Sequence, residues 1–180
     1  MKNIILTANG TQKADLVLKN ASIVNVFTES IEVGDVAITD GKIVGIGRYE
    51  GKIEKDMTGR FVCPGFIDGH IHLESSMVTP SEFARAVIAH GTTAVITDPH
   101  EIANVAGCDG ITYMMQATKD LPLDVFFMVP SCVPATDLDE SGACLNADDI
   151  TPFYNDRRVL GTLSVSIKPM DLSYPRSKQH

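Results

Sequence analysis

The spacing of hydrophobic positions changes near residue 61. Before it, short runs rich in valine and isoleucine alternate with turn residues, as in "ADLVLKNASIVNV" and "GDVAITDGKIVGIG". Such runs are typical of β-strands. Asp40-Gly41, between two of them, is a dipeptide that favours a type I′ hairpin turn. The pattern predicts a small antiparallel sheet over about residues 14–60.

From Phe61 onward, apolar strand-like runs alternate with helical segments. The predicted strands are "FIDGHIH", "TTAVITD", "DVFFMVPSC" and "RVLG". The predicted helices are "TPSEFARAVIAHG", a second helix with "GITYMMQATKD" as its main part, and "NADDITPFYND". In the first helix Thr79 is the expected cap, Pro80 suits the first turn, Glu82 is expected to complete a capping box, and Gly91 ends the helix. The alternation predicts βα units and a parallel sheet covered on both faces.

The composition of the chain limits its expected binding partners and cellular compartment. The chain has 180 residues, 44% of them hydrophobic, and a formal net charge of −8. This charge argues against a nucleic-acid backbone and against an acidic membrane surface as partners. The N-terminus has too few consecutive apolar residues for a signal peptide. The four cysteines lie far apart and are interpreted as reduced thiols in a cytoplasmic protein.

Polar side chains follow three consecutive predicted strands. They are His70 and His72 after the first, Asp98, His100 and Glu101 after the second, and Ser131 and Cys132 after the third. In α/β folds, ligand chemistry gathers at the carboxyl ends of parallel strands. The sequence therefore predicts a functional site at this edge of the sheet.

His70, His72 and Glu74 occupy alternate positions, so they point to one side if the extended conformation continues. Two such imidazoles can reach one divalent ion, and zinc, iron and manganese are all suitable. Asp68 is placed to orient a ligand. The alternative is that these are ordinary surface or core histidines. His90, at a predicted helix end, is interpreted as structural.

The segment "PGFIDGHIHLESSMVTP" resembles the first metal motif of the amidohydrolase superfamily, whose members are metal-dependent barrels preceded by a β-sandwich. More narrowly, "GHIHLESSMVTPSEFARAVIAHGTT", "DPHEIANVAG" and "DVFFMVPSCVPAT" together resemble the bacterial adenine deaminase family. The resemblance implies an α/β fold. A small β-sandwich portion over residues 1–60 would precede strands 1–4 of a (β/α)8 barrel over residues 61–161.

The resemblance also implies a reaction, in which metal-activated water converts adenine to hypoxanthine and ammonia. His70 and His72 would be metal ligands, with manganese or iron expected and zinc an alternative. Glu74 would accept hydrogen bonds from purine N–H groups or fix a ligand, and His100 and Glu101 would shuttle protons or bind a further metal. From the residues alone, Glu74 can equally make backbone contacts, and His100 and Glu101 can cap the following helix.

The resemblance ends at Gly161. Family members continue Leu-Ala-Glu, with that glutamate bridging the metals, whereas this chain continues "TLS" and has no glutamate after Glu140. Residues 162–180 are interpreted as a divergent, frameshifted tail, the alternative being a genuine short ending. A complete barrel takes about 250 residues. The chain is therefore expected to be inactive alone, unless a homo-oligomer or a second polypeptide supplies the other half.

Two other functions stay open. One is a different metal-dependent amidohydrolase, such as a sugar deacetylase or cyclic amidase, which "HLESSMVTP" and "DPHEIANV" disfavour. The other is a non-catalytic remnant or binding module. The missing glutamate and the missing later strands favour the remnant for the isolated chain.

Overall fold

The computed structural model describes residues 1–136 and 138–163, and the chain divides into two units between Pro64 and Gly65. This division lies slightly beyond the expected boundary at residue 60, because Phe61–Val62 pairs with the first strand. Apart from residues 162 and 163, the expected tail lies outside the described residues.

The first unit is one mixed sheet with a short helix. Its elements are α1 (Lys2–Ala8), β1 (Ala14–Asn25), β2 (Ser30–Thr39), β3 (Lys42–Gly47), β4 (Gly51–Asp56) and β5 (Phe61–Val62). The strand order is β3-β2-β1-β4, and β5 also pairs with β1. Asp40 and Gly41 have φ values of 51° and 70°, which confirms the predicted turn. The expectation of a purely antiparallel sheet is wrong, because β4 and β5 run parallel to β1 after the chain crosses to its other side.

An ion pair between the buried Asp35 and the partly exposed Lys19 joins β1 to β2 in the first unit. Asp35 is 6% exposed, and its carboxylate accepts from Lys19 Nζ at 2.6 Å, the Asn20 amide at 3.1 Å and the Tyr49 amide at 3.3 Å. Asn20 has a left-handed φ of 58° where the pairing register of β1 shifts. The Asp35 carboxylate thus fixes the backbone both at the register shift in β1 and at Tyr49, after β3.

The second unit begins at Gly65 and contains a four-stranded parallel sheet. Its elements are β6 (Phe66–Ile71), a 3₁₀ turn (Leu73–Ser76), α2 (Pro80–Ile88), β7 (Thr92–Thr97), α3 (His100–Ala117), β8 (Asp124–Pro130), α4 (Ala147–Ile150), a second 3₁₀ turn (Thr151–Asn155) and β9 (Val159–Leu163). The strand order β6-β7-β8-β9 follows the sequence, and every pair is parallel. This arrangement confirms the βα units that the hydrophobic pattern predicts.

The ends of α2 agree closely with the sequence prediction, whereas the start of α3 does not. Thr79 caps α2 by accepting from the Glu82 amide at 3.5 Å, but the Glu82 side chain pairs with Arg85 instead of completing a capping box. The helix α3 begins at His100, well before the predicted segment, and bends at Gly107, where φ is +58°. Side chains from both helices cover β7 and β8 in a core that includes Phe83, Val95, Ile111, Met114 and Phe127.

None of the helices in the described part of the chain combines the length and apolar character that crossing a bilayer requires. All four cysteines lie within the described residues and are free thiols.

Candidate metal centre

His70 and His72 converge at the carboxyl end of β6. Their Nε2 atoms lie 3.3 Å apart, and the ring planes are 80° to each other. Strand alternation predicts this common direction, and the extended backbone ends at His72. Imidazole nitrogens that point to one place are suited to sharing a divalent ion.

Glu74 does not continue the alternation, because the extended conformation on which that expectation depended ends at His72. Leu73 is fully buried, and the chain turns into the 3₁₀ segment there. Glu74 Oε1 instead accepts from the Ile102 amide at 3.2 Å, while its Oε2 is buried without a hydrogen-bond partner in the described part. Burial raises the pKa of Glu74, and the neighbouring Glu101 carboxylate adds to the rise.

Glu101, at the start of α3, reaches back to the histidine pair. Its Oε2 lies 2.9 Å from His72 Nδ1, at an angle too oblique for a hydrogen bond. Its Oε1 accepts from Ser75 Oγ at 3.0 Å. Burial opposes ionisation, but hydrogen bonds from backbone and Ser75, together with His72, hold the pKa of Glu101 below its ordinary value. The sequence reasoning missed Ser75, and its place in "HLESS" beside Glu74 was the available signal.

Asp98 and His100 lie between the end of β7 and the first turn of α3. Asp98 is 3% exposed, its Oδ2 lies 3.7 Å from His100 Nδ1, and its Oδ1 has no hydrogen-bond partner in the described residues. The Asp98 amide donates to Ile71 O at 3.0 Å, which joins the ends of β6 and β7. Burial raises the pKa of Asp98, although His100, His72 and His70 all oppose the rise.

Asp68 and His90, two other residues considered in the sequence, make contacts with residues near them in the chain. Asp68 Oδ1 accepts from the backbone amide of His70 at 3.1 Å. It therefore fixes the strand end through the backbone. His90 lies just beyond α2, where its amide donates to Val87 O at 3.0 Å.

Within residues 1–136 and 138–163, no three or more histidine, cysteine, aspartate or glutamate side chains are arranged to hold one metal ion. The converging nitrogens of His70 and His72 fit a divalent ion as two of its ligands. Metal sites in proteins usually take three or four protein ligands. Within the described residues, two histidines alone are therefore fewer ligands than such a site usually has.

Sequence comparison places this region among known hydrolases. The Amidohydrolase family pattern matches residues 61–168. An adenine deaminase of Geobacillus kaustophilus is 57% identical over 169 residues, which cover 94% of this chain and 29% of that protein. An adenine deaminase of Clostridium acetobutylicum is 60% identical over 154 residues, covering 86% and 27%. The chain thus spans less than a third of the length of these relatives.

Solved structures agree on the fold. A D-hydantoinase from Thermus sp. is 25% identical with a TM-score of 0.52, covering 64% of this chain and 27% of that one. An atrazine chlorohydrolase from Arthrobacter aurescens TC1, complexed with zinc, is 17% identical with a TM-score of 0.57, covering 82% and 46%. The predicted fold class is confirmed as a β-rich portion followed by part of a (β/α)8 barrel. Because the family pattern covers more than half of its residues, the chain belongs to the Amidohydrolase family.

Proposed function

We propose that this chain belongs to an adenine deaminase, which converts adenine and water to hypoxanthine and ammonia. The observation that carries the proposal is the convergence of His70 and His72, 3.3 Å apart at Nε2, inside a region 57% identical to an adenine deaminase. The proposed metal is a divalent ion, manganese or iron, with His70 and His72 as two of its ligands. The proposed setting is the reducing cytoplasm, which the free thiols support.

The chain's own residues have separate tasks in this proposal. His70 and His72 would hold the divalent ion, which would supply an activated water for attack on C6 of the ring. Glu74 accepts a hydrogen bond from a purine N–H through Oε2, the oxygen that has no partner among the described residues. His100 moves a proton, with Asp98 positioned 3.7 Å from its Nδ1. The proton-transfer role expected of Glu101 stays a prediction.

The isolated chain is proposed to be inactive. Two histidines form an incomplete site, and the chain spans 29% of the Geobacillus kaustophilus relative. The further ligands would be supplied by the rest of the barrel, from the same polypeptide, a second polypeptide or another copy. Purified 180-residue chain supplied with manganese or iron is therefore expected to release no ammonia from adenine.

A chimeric enzyme tests the proposal. Residues 1–161 are fused to the part of the Geobacillus kaustophilus deaminase that follows the position aligned with Gly161, and ammonia release from adenine is measured with Mn²⁺ supplied. Activity is expected, and His70→Ala or His72→Ala should lower it about 100-fold or more, since even an outer-shell partner is worth 10–100-fold. His90→Ala is the matched control and should retain activity. The relative's remaining part alone gives the background.

Two other outcomes of the chimera experiment would contradict adenine deamination. A folded chimera that opens cyclic ureides and leaves adenine unchanged would assign a different amidohydrolase reaction. A folded chimera with no hydrolytic activity, and with Mn²⁺ affinity unchanged by His70→Ala, would favour a non-catalytic remnant and overturn the proposal.

A further inference from the structure

The Glu101 carboxylate lies between a hydroxyl and an imidazole. Ser75 Oγ donates to Oε1 at 3.0 Å, and His72 Nδ1 lies 2.9 Å from Oε2. The opposite nitrogen of the same ring, His72 Nε2, faces His70 Nε2 at 3.3 Å. One side of the His72 ring therefore meets a carboxylate, and the other side faces the shared position between the histidines.

The first turn of α3 holds this carboxylate in place. Glu74 binds the Ile102 amide at 3.2 Å, and Asn104 Nδ2 donates to His100 O at 2.9 Å. Contacts on both sides of Glu101 along the chain thus fix the backbone from which its side chain extends. A carboxylate on a fixed turn can impose an orientation on a ring, whereas a freely moving one cannot.

We propose that Glu101 is a positioning residue for His72. It accepts a hydrogen bond from Nδ1–H and leaves the lone pair of Nε2 directed at the position shared with His70. This rests on the proposed function, in which His70 and His72 hold the ion, and it differs from the proton transfer expected of Glu101. Metal-ligating histidines commonly donate their other ring N–H to a carboxylate, which fixes the tautomer and the ring.

Forming this hydrogen bond requires the His72 ring to rotate from its oblique angle to Oε2. The second side-chain torsion of histidine is broad, so this rotation costs little. Hydrogen bonds at catalytic sites are also commonly misaligned before a ligand is bound.

A hydrogen bond from His72 Nδ1–H to Glu101 fixes which ring nitrogens of His72 and His70 carry protons when no metal is bound. With Nδ1 of His72 protonated, its Nε2 is an acceptor, and His70 Nε2 must be the donor across the 3.3 Å contact. The two rings then carry opposite tautomers, Nδ1–H on His72 and Nε2–H on His70. Ser75, Glu101, His72 and His70 form one directed chain of hydrogen bonds.

Nitrogen-15 NMR of the imidazoles tests this in the metal-free 180-residue chain. Spectra are recorded at about pH 9, well above the ordinary histidine pKa of about 6.5. Wild type should show His72 mainly as Nδ1–H. Glu101→Gln keeps the shape but lets the side chain donate, and it should shift His72 towards Nε2–H. Ser75→Ala should shift it less, and Glu82→Gln, on the exposed pair with Arg85, should leave it unchanged.

Mn²⁺ affinity of the same chains gives an independent readout. Glu101→Gln should weaken binding by about 10–100-fold, and Glu82→Gln should not. A wild-type His72 that is mainly Nε2–H, or one whose tautomer ignores Glu101→Gln, overturns the positioning role even when Mn²⁺ binds. The expected tautomers in a wild-type chain that binds no Mn²⁺ would support the positioning contact and count against the proposed metal site alone.

Discussion

Asp35 shows how much of the first unit depends on one buried carboxylate. Its three donors come from the neighbouring residues Lys19 and Asn20 of β1 and from Tyr49, which follows β3. Hydrogen bonds to an ionised group contribute about 1.5–3 kcal/mol, more than neutral ones do. Burial raises the pKa of Asp35, but the Lys19 ammonium and the two amides outweigh burial and hold that pKa below its ordinary value of 3.8.

Asp35→Asn is expected to lower the free energy of unfolding by about 2–3 kcal/mol at neutral pH, since the amide group cannot accept from all three donors. A depressed carboxyl pKa contributes stability above the unfolded value, and this stability is lost as pH falls through the folded value. The difference between wild type and variant should therefore be full at neutral pH and shrink below the ordinary value of 3.8. Urea unfolding at several pH values measures it.

Asp15→Asn is the matched control for this prediction. Asp15 also pairs with a lysine, at 2.7 Å from Lys52, but both side chains are exposed. Solvent screens such pairs, so the change should be much smaller. Equal effects of the two substitutions at neutral pH would show that burial does not decide the strength of the Asp35 contact.

The site was predictable residue by residue only where local geometry decides it. Alternation along a strand placed His70 and His72 together, and the structure brings their Nε2 atoms to 3.3 Å. The alternation does not extend to Glu74, because the chain leaves the extended conformation at the buried Leu73. The Ser75–Glu101 contact joins residues that are distant in sequence, so no local pattern contains it.

Among the elements, α3 shows why helix boundaries escape a local pattern. The predicted main part of the helix begins at residue 110, after the bend at Gly107. The structure continues the helix across this bend from His100. Ser141 Oγ and the Gly142 amide donate to Asn104 O at 3.0 and 2.8 Å, so a distant loop satisfies a carbonyl beside the bend. Tertiary contacts therefore decide where this helix starts.

The other end of α3 is held by Arg158, which precedes β9. Its guanidinium donates to Met115 O at 2.8 Å and Thr118 Oγ1 at 3.1 Å, and lies 5.4 Å from the centre of the Phe127 ring. Arg158→Lys should lower the free energy of unfolding by about 1–2 kcal/mol, because an ammonium cannot reproduce the planar fork. Chemical denaturation measures it. Arg157→Lys, at the exposed neighbouring position, should have little effect, and equal losses would contradict the anchoring role.

At the scale of the whole molecule, the sheet of the second unit is covered unevenly. Strands β7 and β8 are largely buried, but Phe66 and Ile67 of β6 are 60% and 66% exposed. Successive strand residues point to opposite faces, so both faces of β6 lack cover within the described part of the chain. The order β6-β7-β8-β9 also leaves β6 paired on one side only among these residues. Apolar side chains on an edge strand favour association with another chain.

The purified 180-residue chain is therefore expected to self-associate as its concentration rises from micromolar towards millimolar. Ile67→Lys should raise the concentration at which larger species form, because a charged side chain on an edge strand opposes pairing. Val105→Lys is the matched control, since Val105 is 74% exposed on α3 and does not lie on a strand edge. Sedimentation velocity over a concentration series measures the distribution of species. A chain that stays monomeric throughout, or one on which both lysine substitutions act equally, would show that β6 is not the associating surface.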